Sequence, residues 1–347
     1  MPFLLGLLHR PYWLGAWLLL GLSSATAAGA PGPRQPKLGK ALGADISFLP
    51  ELEARGMKFS DKDVPKDAVQ ILKAYGFNYI RLRIFNNPAA GSGYSPGQDF
   101  CDLIHTLAMA KRVRRAGLKL LLDFHYSDNW AHPQKQFKPL AWKDLSGPAL
   151  AQAVHDHTKK VLGALAAQGT PPDMVQVGNE INHGMVWPDG NVQRTNSLAR
   201  FDALASLVKA GISAVRETDP TALVMLHIAL GGQNRFSTLW LDRMAARGVQ
   251  FDVIGESYYP KWHGTIADLK ANLTALAKRY PQDLVVVECS ERKREVNDVA
   301  FNLPGSKGKS TSIWEPLNTW EAIFDKQGHT NDLLLQYDDI SRTYQVK

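Results

Sequence analysis

Glu180 and Glu288 are the residues best suited to chemistry. Glu180 stands just behind the apolar run Met174–Gly178, and Glu288 directly behind Leu284–Val287. A strand built for stability alone needs no charge at its end, so the pair points to acid–base or nucleophilic work. Two carboxyl groups about 5–5.5 Å apart, one protonated and one ionised, cleave a glycosidic bond with retention of configuration. Different surroundings keep their two pKa values apart. A salt bridge to a neighbouring arginine accounts for either glutamate alone, but poorly for both.

The residues around them fit the same chemistry. Asn179 offers an amide to a sugar hydroxyl, and Tyr258 a phenol to steady Glu288. Arg81 and Arg83 are two apart and share a strand face; one is expected to keep Glu288 ionised and the other to serve internal salt bridges. Asp123, His125 and His227 loosely resemble a metal-ligand set, but no His-x-His or His-x-x-x-His pair supports one. His125, His183, His227 and His263 therefore read as sugar-binding or core residues. Trp130, Trp142, Trp187, Trp262 and Trp314 all follow strand candidates, which predicts an aromatic rim, with Trp314 as the platform for the reacting sugar. The expected substrate contacts are Asp45, Arg83, His125, Asp128, Trp130, Asn179, His227, Tyr258 and Trp314.

These side chains require a scaffold that brings many strand ends to one place. Strand candidates are Ala41–Ser47, Asn78–Phe85, Leu118–Phe124, Met174–Gly178, Leu223–Ile228, Phe251–Ser257, Leu284–Glu288 and Ser312–Trp314. Helical patterns alternate with them at Lys66–Tyr75, Cys101–Ala116, Ala149–Gln168, Ser197–Glu217, Leu239–Arg247, Ile266–Tyr280 and Glu295–Phe301. A last helix falls at Trp320–Phe324 or Leu333–Ile340. Gly76, Gly117 and Gly169 stand where helices should stop. Uninterrupted apolar runs such as Leu120–Leu122 mark strands buried on both faces, as in a parallel sheet. Eight alternations in one domain predict an α/β fold, a (β/α)8 TIM barrel whose chemistry lies at the C-terminal strand ends. An open doubly wound sheet fits less well, because no Gly-rich loop follows the first strand. The seventh helix and eighth strand are short and polar, so the seventh βα unit is expected to be shortened.

Composition narrows the class. The 347 residues are 45% hydrophobic and 21% charged, an ordinary globular balance. Residues 1–30 read as a cleavable export signal: Arg10, the apolar run from Trp13 to Leu22, then small residues with Ala25-Thr26-Ala27 or Ala28-Gly29-Ala30 as cleavage sites. Residues 31–40 read as a disordered linker and 41–347 as the catalytic barrel. The expected location is secreted or periplasmic, with no membrane association after cleavage. The net charge of +7 is scattered, without the basic stripe of a nucleic-acid protein. Cys101 and Cys289 are expected to be free, buried thiols. The chain is expected to be a monomer whose partner is a polysaccharide.

Longer motifs make the sequence recognisable. They are Gly43-Ala44-Asp45-Ile46-Ser47-Phe48, Arg81-Leu82-Arg83, Leu122-Asp123-Phe124-His125-Tyr126-Ser127-Asp128 and Gln176-Val177-Gly178-Asn179-Glu180-Ile181-Asn182-His183-Gly184-Met185. Ser257-Tyr258-Tyr259-Pro260-Lys261-Trp262-His263-Gly264, Val286-Val287-Glu288 and Trp314-Glu315-Pro316 complete the set. In this order the chain resembles glycoside hydrolase family 53, the endo-β-1,4-galactanases. The resemblance implies Glu180 as acid/base, Glu288 as nucleophile and the β-1,4-galactan side chains of pectin as substrate. It also implies departures: Cys289 in place of Thr, Glu256 in place of an uncharged residue, and a short segment before Trp314. Some members carry calcium in that segment; here only 25 residues separate Glu288 from Trp314, and no cofactor is expected. Competing readings are a related barrel cutting a glucan or mannan, an inactive sugar-binding barrel and a metal-dependent hydrolase.

Overall fold

The computed structural model describes residues 38–193, 197–317 and 322–346. The signal and all but the last three residues of the linker lie outside them. Eight parallel strands close a barrel: β1 (Ala41–Asp45), β2 (Tyr79–Ile84), β3 (Lys119–Phe124), β4 (Met174–Val177), β5 (Leu223–Ile228), β6 (Val253–Ser257), β7 (Asp283–Cys289) and β8 (Gly308–Trp314). A helix follows each strand: α1 (Ala68–Ala74), α2 (Leu103–Arg115), α3 (Gly147–Ala167), α4 (Leu198–Thr218), α5 (Asn234–Ala245), α6 (Ile266–Arg279), α7 (Lys293–Phe301) and α8 (Asp332–Tyr344).

Local chemistry sets the helix ends. Asp67, Asp102, Ser197 and Asn331 accept backbone N–H groups at the starts of α1, α2, α4 and α8, while Thr265 and Asp268 form a reciprocal capping box for α6. Gly117 and Gly169, which end α2 and α3, take φ of +72° and +80°, where a side chain is disfavoured. Along α3, Leu150, Val154, Val161, Leu162 and Leu165 are buried on one stripe.

The eighth unit is the main departure from expectation. β8 extends over Gly308–Trp314 rather than Ser312–Trp314, although Lys309, Ser310, Thr311 and Ser312 are polar. Its backbone is satisfied by β7 and by an in-register ladder with β1, from Ala41 opposite Ser310 to Asp45 opposite Trp314. Thr311 Oγ1 donates to Asn297 Oδ1 of α7 at 2.7 Å. Ladder geometry thus overrides composition, and the short seventh unit closes the barrel. α5 begins five residues before the expected Leu239, and the final helix is the second of the two alternatives; residues 318–321 lie outside the described set.

The barrel interior has two levels. Ala41, Tyr79, Leu121, Met174, Leu223, Met225, Val253, Val285 and Val287 pack an apolar lower layer with Leu38. Two residues further along several of the same strands, the inward positions become Arg81, Asp123, Gln176 and His227. All four are buried. The alternate, outward residues, such as Leu122, Val177 and Val286, pack against the helices in the main core. Cys101 and Cys289 are both buried, and neither is in a disulfide. Among the described residues, no helix is long and apolar enough to cross a membrane.

Candidate active site

A cleft of roughly 670 Å³ opens at the C-terminal strand ends. Both glutamates line it, together with Asp45, Arg81, Arg83, His125, Trp130, Asn179, Tyr259, Trp262 and Trp314.

Glu180 reaches the cleft through an irregular turn. Gly178 takes φ +88° after β4, and Glu180 itself is left-handed at φ +49°, an uncommon conformation for a residue with a Cβ. The following single turn, Ile181–His183, and the side-chain amide of Gln136, whose Nε2 donates to Asn179 O at 2.7 Å, hold this geometry. Strain of this kind persists where its surroundings over-determine it, commonly at functional sites. Glu288 arrives by a different device. Val285 and Val287 point into the barrel and Val286 out of it. Strict alternation would therefore turn Glu288 outward. A register shift in the β6–β7 ladder pairs Ser257 with Glu288 instead of Val287 and turns the carboxylate into the cleft.

One guanidinium organises the floor. Arg81 Nη1 lies 2.8 Å from Asp45 Oδ2 and 2.7 Å from Glu288 Oε1, and Nη2 lies 2.9 Å from Asp123 Oδ2. Arg81 is thus the partner of Glu288. Arg83 instead pairs with Glu315 and lies under the aromatic wall, 4.3 Å from the Trp130 ring centre and 4.5 Å from that of Phe48. The phenol of Tyr259 donates to Glu288 Oε2 at 3.3 Å. Three carboxylates share Arg81, so the floor is negative before Glu180 ionises. Burial, and then the charge of Glu288, push the Glu180 carboxyl upward. Burial raises Glu288 as well, but Arg81 beside it pulls in the opposite direction. Glu288 therefore loses its proton first, leaving an ionised nucleophile candidate beside a protonated acid candidate.

The other expected contacts divide. Asn179 lines the cleft; its Oδ1 accepts from Arg81 Nη2 at 2.9 Å and its Nδ2 donates to Ala131 O at 2.8 Å. His125 Nδ1 accepts from Ala131 N at 3.0 Å, so Nε2 carries the proton toward Asp123 Oδ2 at 3.1 Å. Burial lowers its pKa and keeps it neutral. His227 lies beneath the cleft, fully buried, with burial depressing its pKa further. Tyr258 faces away: its phenol donates to Gly264 O at 3.0 Å, and the role expected of it falls to Tyr259. The inward register set by Ser257 would have located this residue, because a one-residue slip changes the face. Asp128 also leaves the cleft. Its carboxylate accepts from the backbone N–H of Asn87 at 2.9 Å and of Leu140 at 2.7 Å, stapling two loops.

Of the five rim tryptophans, Trp130, Trp262 and Trp314 line the cleft. Trp142 is buried beside His157, and Trp187 packs on Phe137. Gln176 and Glu315 join the site without having been expected there; their inward alternation on β4 and just after β8 is the available signal. Among the described residues, no group of three or more His, Cys, Asp or Glu is arranged to hold a metal ion. Between β7 and β8, Glu295 pairs with Arg292 at 3.2 Å and Asp298 with Arg294 at 2.9 Å.

Comparison with known proteins agrees with this geometry. The family model described as glycosyl hydrolase family 53 matches residues 41–322. An endo-beta-1,4-galactanase of Bacillus subtilis is 36% identical over 251 residues, covering 72% of this chain and 56% of that protein. An arabinogalactan endo-beta-1,4-galactanase of Cellvibrio japonicus is 35% identical over 274 residues, 77% of this chain and 70% of that protein. The chain thus spans little more than half of the Bacillus relative's length. A solved GH53 catalytic domain from Ignisphaera aggregans superposes with TM-score 0.79 at 32% identity, covering 89% of this chain and 98% of that one. The barrel, the inward-turned glutamates and a match over nearly all the described chain lead to one assignment: this protein belongs to glycosyl hydrolase family 53.

Proposed function

We propose that the protein is a retaining endo-β-1,4-galactanase acting on the galactan side chains of pectin. The observation that carries the mechanism is the electrostatic contrast within one cleft: Glu288 is held by Arg81 at 2.7 Å, whereas Glu180 meets Ser257 Oγ at 2.7 Å and, among the described residues, pairs with no cation. In the first step Glu180 gives its proton to the glycosidic oxygen while the Glu288 carboxylate attacks the anomeric carbon. The bond to the leaving oxygen breaks and a glycosyl ester forms on Glu288. In the second step Glu180 takes a proton from water, whose oxygen attacks the same carbon and releases Glu288. The substrate class rests on what the Bacillus and Cellvibrio relatives are named for. Trp130 and Trp314, with ring centres 6.2 Å apart, offer indole faces to the apolar faces of pyranose rings.

The protein is further proposed to be exported, because its first thirty residues have the pattern of a cleavable signal. It is also proposed to act as a monomer without a metal, so that EDTA leaves its rate unchanged. The test is incubation with unbranched β-1,4-galactan, with products separated over time and their first-formed anomer read by NMR. Early release of mixed short oligosaccharides in the β configuration is expected. Cleavage of a glucan or mannan but not galactan would keep the mechanism and discard the substrate; first-formed α products would discard the mechanism.

A further inference from the structure

Beneath Glu180 runs a chain of contacts that the two-carboxylate chemistry leaves unused. Ser257 Oγ lies 2.7 Å from Glu180 Oε1 and 2.8 Å from His227 Nε2, and His227 Nδ1 lies 2.9 Å from Asn179 Oδ1. Ser257 and His227 are both fully buried. Three hydrogen bonds must be made with the few protons available, and their direction can be worked out from the fixed end.

That end is Arg81. It donates from Nη2 to Asn179 Oδ1 at 2.9 Å, and Asn179 Nδ2 donates to Ala131 O at 2.8 Å, so the amide oxygen faces His227. Arg81 Nε likewise donates to Gln176 Oε1 at 3.2 Å, which fixes the second amide. Gln176 Nε2 then has Asp123 Oδ1 at 2.5 Å and Gly178 O at 3.2 Å as acceptors for its two protons, leaving the second lone pair of Asn179 Oδ1 to His227. Its 3.1 Å approach to His227 Nδ1 needs neither of them. A bare Nδ1 would accept the Glu180 N–H only at 3.4 Å, while setting a lone pair against the Asn179 oxygen at 2.9 Å; the shorter contact decides. Nδ1 therefore carries the imidazole proton, and Nε2 is an acceptor.

We propose that His227 and Ser257 are positioning residues that keep the catalytic proton on Glu180, by drawing the Ser257 hydroxyl proton away from it. Ser257 has one proton and donates it to His227 Nε2. Its oxygen then faces Glu180 Oε1 with a lone pair, and a 2.7 Å contact between them is bonding when Glu180 is the donor. A serine free to donate would stabilise the carboxylate and lower its pKa; the histidine removes that freedom. Once Glu180 has protonated the leaving group, its carboxylate competes with His227 for the serine proton, which makes it a stronger base toward the incoming water. The other charged groups facing Glu180 are Glu288 from β7, Arg81 from β2 and Asp123 from β3. Those facing His227 are Arg81, His125 and His263, and burial lowers the pKa of both other imidazoles, that of His263 to about 4.

The proposal rests on Glu180 as the acid/base, and its first test needs no substrate. In protein labelled with ¹⁵N-histidine, the shifts of His227 at neutral pH should show a protonated Nδ1 and a bare Nε2. The opposite tautomer, or an imidazolium, would overturn it, whatever the outcome with galactan. The second test is the pH profile of kcat/KM for His227→Leu. Releasing the Ser257 proton should move the alkaline limb to lower pH, on the order of one unit. The shift should vanish when His227→Leu is compared in a Ser257→Ala background. An alkaline limb that moves upward, or a shift that persists without Ser257, refutes the relay. Failure of galactan cleavage with the expected tautomer intact would count against the substrate reading alone.

Discussion

At the scale of single residues, the site is an arrangement of unequal neighbours around similar carboxyl groups. Glu180 and Glu288 are both buried, and what separates them is which one Arg81 touches. Replacing Glu180 with Gln removes the proposed proton donor but not the proposed nucleophile. Hydrolysis of galactan should fall by about 10²–10⁴-fold, while an aryl galactoside with an acidic phenol should lose far less in its glycosylation step. Equal losses on both substrates would contradict the assignment. Arg81→Met should raise the acid limb of the pH profile. Arg81 lowers the Glu288 pKa, so without it the nucleophile ionises only at higher pH. The same change leaves Asp45 and Asp123 without their cation and should cost about 3–5 kcal/mol of stability, measured by urea unfolding.

At the scale of elements, β6 carries chemistry on both faces. Ser257 points toward Glu180, and the preceding Glu256 points outward, fully buried among helices. Its carboxylate accepts from Leu230 N at 3.0 Å and Ser237 Oγ at 2.8 Å, and burial pushes its pKa up to about 8. The sign follows from linkage. The folded state binds this proton more tightly than the unfolded chain, so stability is greatest below the unfolded pKa. It falls as pH rises through the folded value. Glu256→Gln should therefore gain on the parent protein between pH 5 and 8 in melting temperature. A constant difference across that range would show that the carboxyl does not titrate there.

At the scale of the whole molecule, closure depends on pieces distant in sequence. β8 joins β1, and α8 packs on the outside of the barrel, where Tyr337 meets Phe77 with ring centres 4.7 Å apart. Tyr344 stacks on Phe301 of α7 at the same separation. Phe77 precedes β2, at the end away from the cleft. Phe77→Ala should cost about 3–5 kcal/mol in stability and leave kcat of the folded enzyme unchanged. A large fall in kcat at temperatures where the variant is folded would mean that the two ends of the barrel are coupled.

The sequence by itself determined the barrel, because eight strands, most of them apolar on both faces, that alternate with amphipathic helices leave few other ways to cover every apolar face. It also placed the two glutamates at strand ends, and Arg81 and Arg83 on one face. Three things were decided only by the tertiary structure. Which arginine meets Glu288 depends on the register of β2 against β1 and β3, so spacing alone left it open. Tyr259 rather than Tyr258 meets Glu288 because pairing between β6 and β7 sets the register at that end. Most telling is Glu288 itself: alternation through Val285 and Val287 would send it into the helix layer. The shift that turns it inward is a property of two strands paired together, and neither strand's sequence contains it.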